Sequence, residues 1–252
     1  MSAESDLESS TEEYAARFSG AVGAAMLARQ SILIQRGLRE VIERHGPHGS
    51  KLITVLDVGG GHGQVLRALQ DLPGVQLHLL ASTESAIGCA GPLVASGKVT
   101  VHLGRLEQSA LTDRSFDVVT CFRQLPHVPD WRALVGELAR LAAHRIIIDY
   151  PPWMSVNLMS GVLFPLKKRI EGNTRPFRLF THHEIIEAFE NGGFESRWRE
   201  GEFLLPLALY RMLGSVALMR LLEWPGAVSG IRSSVGNPCV SVLDRLQRPV
   251  RA

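Results

Sequence analysis

The fold class this sequence predicts is α/β, a doubly wound and mostly parallel sheet, and three observations lead to it. Short Ile-, Val- and Leu-rich runs alternate with stretches of helical periodicity along the chain. The first run, Leu52-Ile53-Thr54-Val55-Leu56, is apolar almost throughout, as expected of a strand covered on both faces. That run stops at Asp57 and passes through Gly59, Gly60, Gly61 and Gly63 into a helical pattern reaching Leu69. Glycines let the backbone take positive φ and approach a ligand, and the free N–H groups of a helix start favour an anionic group.

The other elements follow in order. Residues 1–13 are polar and acidic and are expected to form a disordered tail. Leu27, Ile34, Leu38, Val41 and Ile42 then recur at helical spacing within an N-terminal helical cap over residues 14–50, ending near Gly46-Pro47. This helix either covers a ligand site or caps the sheet. Val75 to Leu80 reads as the second strand, Glu84 to Ala95 as a helix, and Val99 to Leu103 and Phe116 to Cys121 as the third and fourth strands. Trp131, Leu134, Val135, Leu138 and Leu141 form a helical stripe, and Arg145 to Tyr150 makes a fifth strand stopped by Pro151-Pro152. Residues 151–180 follow no clear period, which suggests an inserted lid or substrate segment. Thr181-His182-His183-Glu184 has the capping-box pattern of a helix that stops at Gly192-Gly193. Phe194 to Phe203 is an edge strand, Pro206 to Trp224 a helical region, and Cys239 to Leu243 the last strand.

Composition sets further bounds. Hydrophobic residues make up 45% of the 252, enough for a packed core, and the net charge of +2 comes without a long basic run, so no nucleic-acid partner is expected. Cys89, Cys121 and Cys239 lack C-x-x-C spacing, which fits a reducing cytoplasm rather than a disulfide framework. No basic-apolar leader opens the chain, and Pro206, Arg211 and Arg220 interrupt its longest apolar stretch, Phe203 to Leu222. A dinucleotide fingerprint would need a third glycine where Gln64 stands. A Tyr-x-x-x-Lys pair is also missing, since Met154 and Gly214 follow Tyr150 and Tyr210 at that spacing.

Asp57-Val58-Gly59-Gly60-Gly61-His62-Gly63 resembles motif I of the class I S-adenosylmethionine (SAM) dependent methyltransferases. With Phe116-Asp117-Val118-Val119, Leu125-Pro126-His127-Val128 and Gly192-Gly193-Phe194, the order of elements is similar to small-molecule methyltransferases of the quinone-biosynthesis type. The resemblance implies a Rossmann-like, doubly wound, seven-stranded sheet with helices on both faces and an antiparallel last strand, filling residues 51–252. It implies SAM as cofactor, held by Asp57, Gly59, Gly60, Gly61 and Gly63. Family members carry an acidic residue for the ribose at the end of the second strand, where this chain has Ala81; Ser82 or Glu84 would substitute. The acidic residue beside the adenine aligns with Arg105, with Glu107 close by. Arg123 joins the cofactor set from the fourth-strand loop. Arg123 and Pro126 stand where some quinone methyltransferases carry metal-binding carboxylates, so no metal is expected.

In an open α/β sheet, ligands bind outside the carboxyl ends of the strands, which gathers Asp57 to Gly63, Ala81 to Glu84, Cys121 to His127 and Asp149 to Pro152 at one cleft. A sulfonium methyl needs mainly alignment with its acceptor, and a hydroxyl acceptor gains from a base. His127 is the candidate base, although it could equally cap the Trp131 helix or pack beneath the loop. Asp149 and Tyr150 are candidates to orient the acceptor, with a purely structural role for Asp149 weighed against that. The segment Trp153 to Arg178 joins Trp153, Met154, Leu158, Met159, Leu163 and Phe164 to Lys167, Lys168, Arg169, Arg175 and Arg178. That mixture fits a small hydrophobic or amphipathic acceptor, with O-methylation favoured, a peripheral membrane or lipid-like contact, or simply an apolar core stripe beside a basic surface. A non-catalytic binding or regulatory protein on the same fold is the other reading, motivated by Ala81 and Arg105.

Overall fold

A computed structural model describes residues 5–45, 52–155 and 178–246. Helices α1 (Ser5–Ser9) and α2 (Glu12–Ala16) lead into the long α3 (Gly20–His45). There follow β1 (Ile53–Val58), α4 (Gln64–Leu69), β2 (Val75–Ala81), α5 (Gly91–Ala95), β3 (Val99–Leu103), β4 (Phe116–Cys121), α6 (Trp131–Leu141) and β5 (Ala142–Tyr150). Beyond residues 156–177 come α7 (His182–Asn191), β6 (Phe194–Phe203), α8 (Leu207–Leu213), α9 (Val216–Ser229), α10 (Arg232–Val235) and β7 (Asn237–Arg245).

The seven strands lie in the order β3-β2-β1-β4-β5-β7-β6. Pairs among β1 to β5 are parallel, whereas β7 runs antiparallel to both β5 and β6. As β7 opposes both neighbours, β6 points the same way as β5. The carboxyl ends of six strands therefore share one edge, and β6 is the outermost strand on its side, as its sequence suggests.

The apolar runs are continuous because both faces are covered. Val119, Ile146 and Ile148 pack against Leu134 and Leu138 of α6 and Ile185 and Phe189 of α7. Val55, Val118, Ile147 and Val242 pack on the other face against Leu33, Ile34, Leu38 and Val41 of α3 and Val65 and Leu66 of α4. A Cβ on Gly37 would fall 2.9 Å from Ile147 Cδ1, so a glycine lets α3 come this close to the sheet. The long N-terminal helix thus caps the sheet; its expected end at Gly46-Pro47 lies outside the described residues.

Three expectations need correction. The polar N-terminus carries helices α1 and α2 and buries Asp6, Ser9 and Ser10, because these groups find partners inside the domain. Thr11 caps α2 by accepting the Tyr14 N–H at 3.2 Å. The single helix expected over Glu84 to Ala95 is a 3-10 segment, Glu84–Ala90, followed by α5. Gly88 breaks it at φ 45°, ψ −123°, a conformation reserved for glycine. The apolar region after Pro206 divides into α8 and α9 at Gly214, whose φ is 63°.

Arg145 on β5 is 1% exposed and joins the sheet to α3. Its guanidinium donates to both Asp244 carboxylate oxygens at 2.5 and 2.8 Å, to Gly37 O at 2.6 Å and to Glu40 at 3.0 Å. Removing one partner of a buried ion pair strands the other, so Arg145→Ala should lower unfolding free energy by about 3 kcal/mol in urea denaturation.

Candidate active site

The β1 strand delivers Asp57 to the shared edge, fully buried, opposite Thr120 in the β4 register. The Thr120 hydroxyl donates to Asp57 Oδ1 at 2.8 Å, while Oδ2 has no hydrogen-bond partner. Burial raises the Asp57 pKa to about 7; the Thr120 bond opposes this and the Asp149 charge adds to it. The chain then turns through Gly59 and Gly63, both at φ +69°, and Gly63 caps α4. Any Cβ on Gly60 would lie 1.8 Å from Asp57 Oδ2, so the carboxylate sits directly against the turn.

Gly61 plays a different part from the one its sequence context suggests. A Cβ there would lie 1.8 Å from the Ala86 carbonyl oxygen and 2.7 Å from Ser10 Cβ. Its own carbonyl accepts the Ala90 N–H at 3.0 Å. The turn is thus packed against the 3-10 segment and the end of α1.

The β4 loop closes over the turn from the other side. Arg123, at φ +62°, donates its backbone N–H to Asp149 Oδ1 at 2.6 Å. Its guanidinium reaches Tyr14 Oη at 3.2 Å and lies 4.1 Å from the Phe18 ring centroid. Burial lifts Asp149 to about 6 against the pull of Arg123. Glu202, near the end of β6, is lifted to about 7 by burial, again opposed by Arg123, and accepts from Gln30 at 2.9 Å. Gln124 is buried and donates through Nε2 to Gly59 O and Ser9 Oγ, both at 2.9 Å. His62 is also buried; burial, followed by the charge of Arg123, lowers its pKa to about 3. Its Nδ1 accepts the Gln64 N–H at 3.1 Å, so the ring is neutral.

The other predicted residues fall as follows. Ser82 gives its N–H and hydroxyl to the two oxygens of Asp6, at 2.8 and 2.5 Å. Glu84 is exposed at the start of the 3-10 segment, and Glu107 is partly exposed beyond β3. His127 ends the 3-10 turn Leu125–His127, half-buried, with its backbone N–H on Gln124 O at 2.9 Å. Tyr150 is buried on the α7 side and holds His182 Nδ1 at 2.8 Å. Burial raises its pKa well above the usual phenol value. Thr181 and Glu184 form the expected capping box. The predicted lid lies mostly outside the described residues, but its ends, 151–155 and 178–180, are within them. Pro152 bridges to Phe180, and the Arg178 N–H donates to Pro126 O at 3.1 Å, beside His127.

Sequence reasoning missed Asp6, Ser9, Thr120, Gln124, Glu202 and His182. Thr11 followed by two glutamates was a readable helix start for α2, but nothing nearby marked Asp6 as buried. Among the described residues, no group of three His, Cys, Asp or Glu side chains is placed to hold a metal ion.

Two short matches to curated relatives and a wider match in fold accompany this geometry. The chain belongs to a methyltransferase family, matching its "Methyltransferase domain" over residues 30–197. It is 32% identical over 109 residues to a probable chloroplastic tocopherol O-methyltransferase of Oryza sativa subsp. japonica, covering 42% of this chain and 30% of that protein. It is 35% identical over 94 residues to a ubiquinone biosynthesis O-methyltransferase of Methylococcus capsulatus, covering 34% and 38%. The matched stretches therefore span about a third of these relatives' own lengths. In fold it is similar to the magnesium protoporphyrin IX methyltransferase of Synechocystis PCC 6803 with bound S-adenosylhomocysteine (SAH). The TM-score is 0.61 at 14% identity, covering 93% and 94% of the two chains.

S-adenosylmethionine is the cofactor that goes with this family, and the site fits it. Asp57 Oδ2, His62 Nε2, Gln64 Oε1, Gln124 Oε1 and Arg123 Nε are all buried around the glycine turn without hydrogen-bond partners. Three acceptors and two donors suit a ligand carrying ammonium and hydroxyl donors and a carboxylate.

Two outcomes follow. Gly61→Val should abolish SAM binding in calorimetry and also lower the melting temperature, since the valine displaces the Ala86 carbonyl as well as any ligand. Asp57 keeps its proton up to about pH 7, and a cationic ligand pairs with the ionised form, so SAM should bind more tightly at about pH 8 than at about pH 6. Asp57→Asn should flatten that dependence.

Proposed function

We propose that this protein is a SAM-dependent O-methyltransferase acting on a small hydrophobic or amphipathic hydroxyl compound. The observation that carries the reading is the buried, partly unsatisfied polar cluster at the glycine turn, in a chain of the methyltransferase family. The names of both curated relatives support O-methylation and a lipid-like acceptor. The cofactor supplies an activated methyl group, and the chain's task is to hold donor and acceptor in line. Asp57 and the turn hold the amino-acid end, with Gln124 giving up its bond to Gly59 O. His127 is the proposed base for the acceptor hydroxyl, entering beside the paired ends of the 151–180 segment. Asp149 positions the loop through its bond to the Arg123 N–H. Tyr150 orients His182 rather than the acceptor.

The ribose carboxylate missing at Ala81 is supplied, in this reading, by Asp6. Its carboxylate is buried beside the end of β2, and each oxygen keeps a lone pair after its bond to Ser82. A hydrogen bond to a charged group contributes about 1.5 to 3 kcal/mol, so Asp6→Asn should weaken SAH about tenfold or more. Ala81→Asp in that background should restore it. Unchanged or tighter SAH binding by Asp6→Asn would instead make α1 a competitor for the cleft.

Incubation with methyl-labelled SAM and a panel of phenols, catechols and quinols tests the activity, with a labelled methyl ether as the expected product. On the acceptor so found, His127→Ala should lower turnover by about 10²- to 10⁴-fold with SAM affinity retained. Label transfer only to amine or carbon acceptors would overturn O-methylation.

A further inference from the structure

Helix α9 is apolar on both faces, unlike an ordinary surface helix, since Val216, Met219 and Leu222 pack inward while other large apolar side chains point out. Its inward face carries Met219 and Glu223, whereas Leu218, Leu221, Trp224 and Val228 face solvent. The last three are 67%, 65% and 69% exposed, and Met212 on α8 is 70% exposed. Large apolar side chains at i, i+3 and i+7 make a continuous stripe, and a monomer rarely exposes such a patch without a partner for it.

Charge decides which partner fits. Glu223 is the only carboxylate on α8 and α9, and it is turned inward, accepting from Tyr210 Oη and from Leu204 N at 2.7 Å. The exposed charges on these helices are Arg211 and Arg220. Pairing this face with a second copy would bring Arg220 toward Arg220, and α8 and α9 offer no outward carboxylate to meet it. An anionic lipid surface offers the complement: apolar side chains enter the interface, tryptophan sits at headgroup level, and long arginines keep their charge among phosphates.

Placement adds to the argument. Both helices follow Phe203, the carboxyl end of β6, and Phe203 packs on Tyr210 of α8 with ring centroids 6.1 Å apart. The patch therefore belongs to the edge of the sheet that carries the glycine turn. Among the described residues no helix is long and apolar enough to cross a membrane, so contact here is with a surface.

We infer that the exposed face of α8 and α9 docks on an anionic membrane surface, holding the active-site edge at the layer where a lipid-like acceptor resides. The docking rests on the proposed acceptor class for its purpose but not for its test, which uses no acceptor. Full-length protein is co-sedimented with phosphatidylcholine vesicles with and without phosphatidylglycerol. Wild type should bind the anionic vesicles and bind less in high salt. Leu221→Glu with Trp224→Glu should lower that partition more than tenfold, since burying two such side chains is worth several-fold each. Arg220→Gln should lessen the preference for phosphatidylglycerol. All these positions are exposed, so SAM calorimetry and thermal melting should be unchanged, which separates lost docking from lost fold. Absence of wild-type binding to anionic vesicles, or equal binding by the Glu variant, would overturn the inference. So would a concentration-dependent dimer that the Glu variant abolishes while vesicle binding persists.

Discussion

The positive charge of Arg123, held at the carboxyl edge of the sheet, is the constraint around which the site is arranged. Burying a carboxylate raises its pKa, and burying several together raises each further unless a cation shares the space. Asp149 and Glu202 are both opposed in that rise by Arg123, and Asp149 in turn pushes up Asp57. The arginine serves the ends of β5 and β6 with its backbone at φ +62°, its N–H fixed by Asp149 and its guanidinium laid over Phe18 and Tyr14. The N-terminal residues are thus coupled electrostatically to the carboxylates under the glycine turn.

That coupling gives residues 5–16 a reason to fold. Alone, α1 and α2 are far shorter than a helix stable in water. They persist because Asp6 satisfies both donors of Ser82, Ser9 meets Gln124, and the carbonyl of Ser10 accepts the Cys89 N–H at 3.2 Å. Each contact is with a loop at the cleft, none with the distant sheet edge. An open cleft of about 860 Å³ lies at the opposite end of the strands, lined by Arg44, Arg114, His144 and Arg245, far from the glycine turn. Openness alone is therefore a poor guide to chemistry in this fold.

The sheet was legible in the sequence because strand identity is written in local runs. Val99–Leu103 and Phe116–Cys121 fall where their apolar pattern places them, and β1 ends within a residue of Asp57. Motif I was legible for the same reason, as strand, turn and helix are contiguous. What escaped was what depends on distant pairing. Asp6 reads as a solvated charge in an acidic stretch until Ser82, 76 residues away, is brought beside it. Glu202 lies in a strand whose pattern gives no sign that its end meets Arg123. The short 3-10 break at Gly88 follows from α1 packing against it, which no helical period could announce.

Periodicity also cannot say which face of an apolar helix is covered. The run after Pro206 has enough leucine to read as core, yet its one acid is drawn inward by the Tyr210 hydroxyl and the Leu204 N–H, and α9 is rotated accordingly. Turning Glu223 outward would leave two buried donors unmet, a cost comparable to exposing several methylenes. The inward acid and the outward leucines are thus one arrangement rather than two. It sets an apolar, arginine-flanked face beside Glu202, so the strand end that completes the buried acid cluster also carries the helices facing away from it.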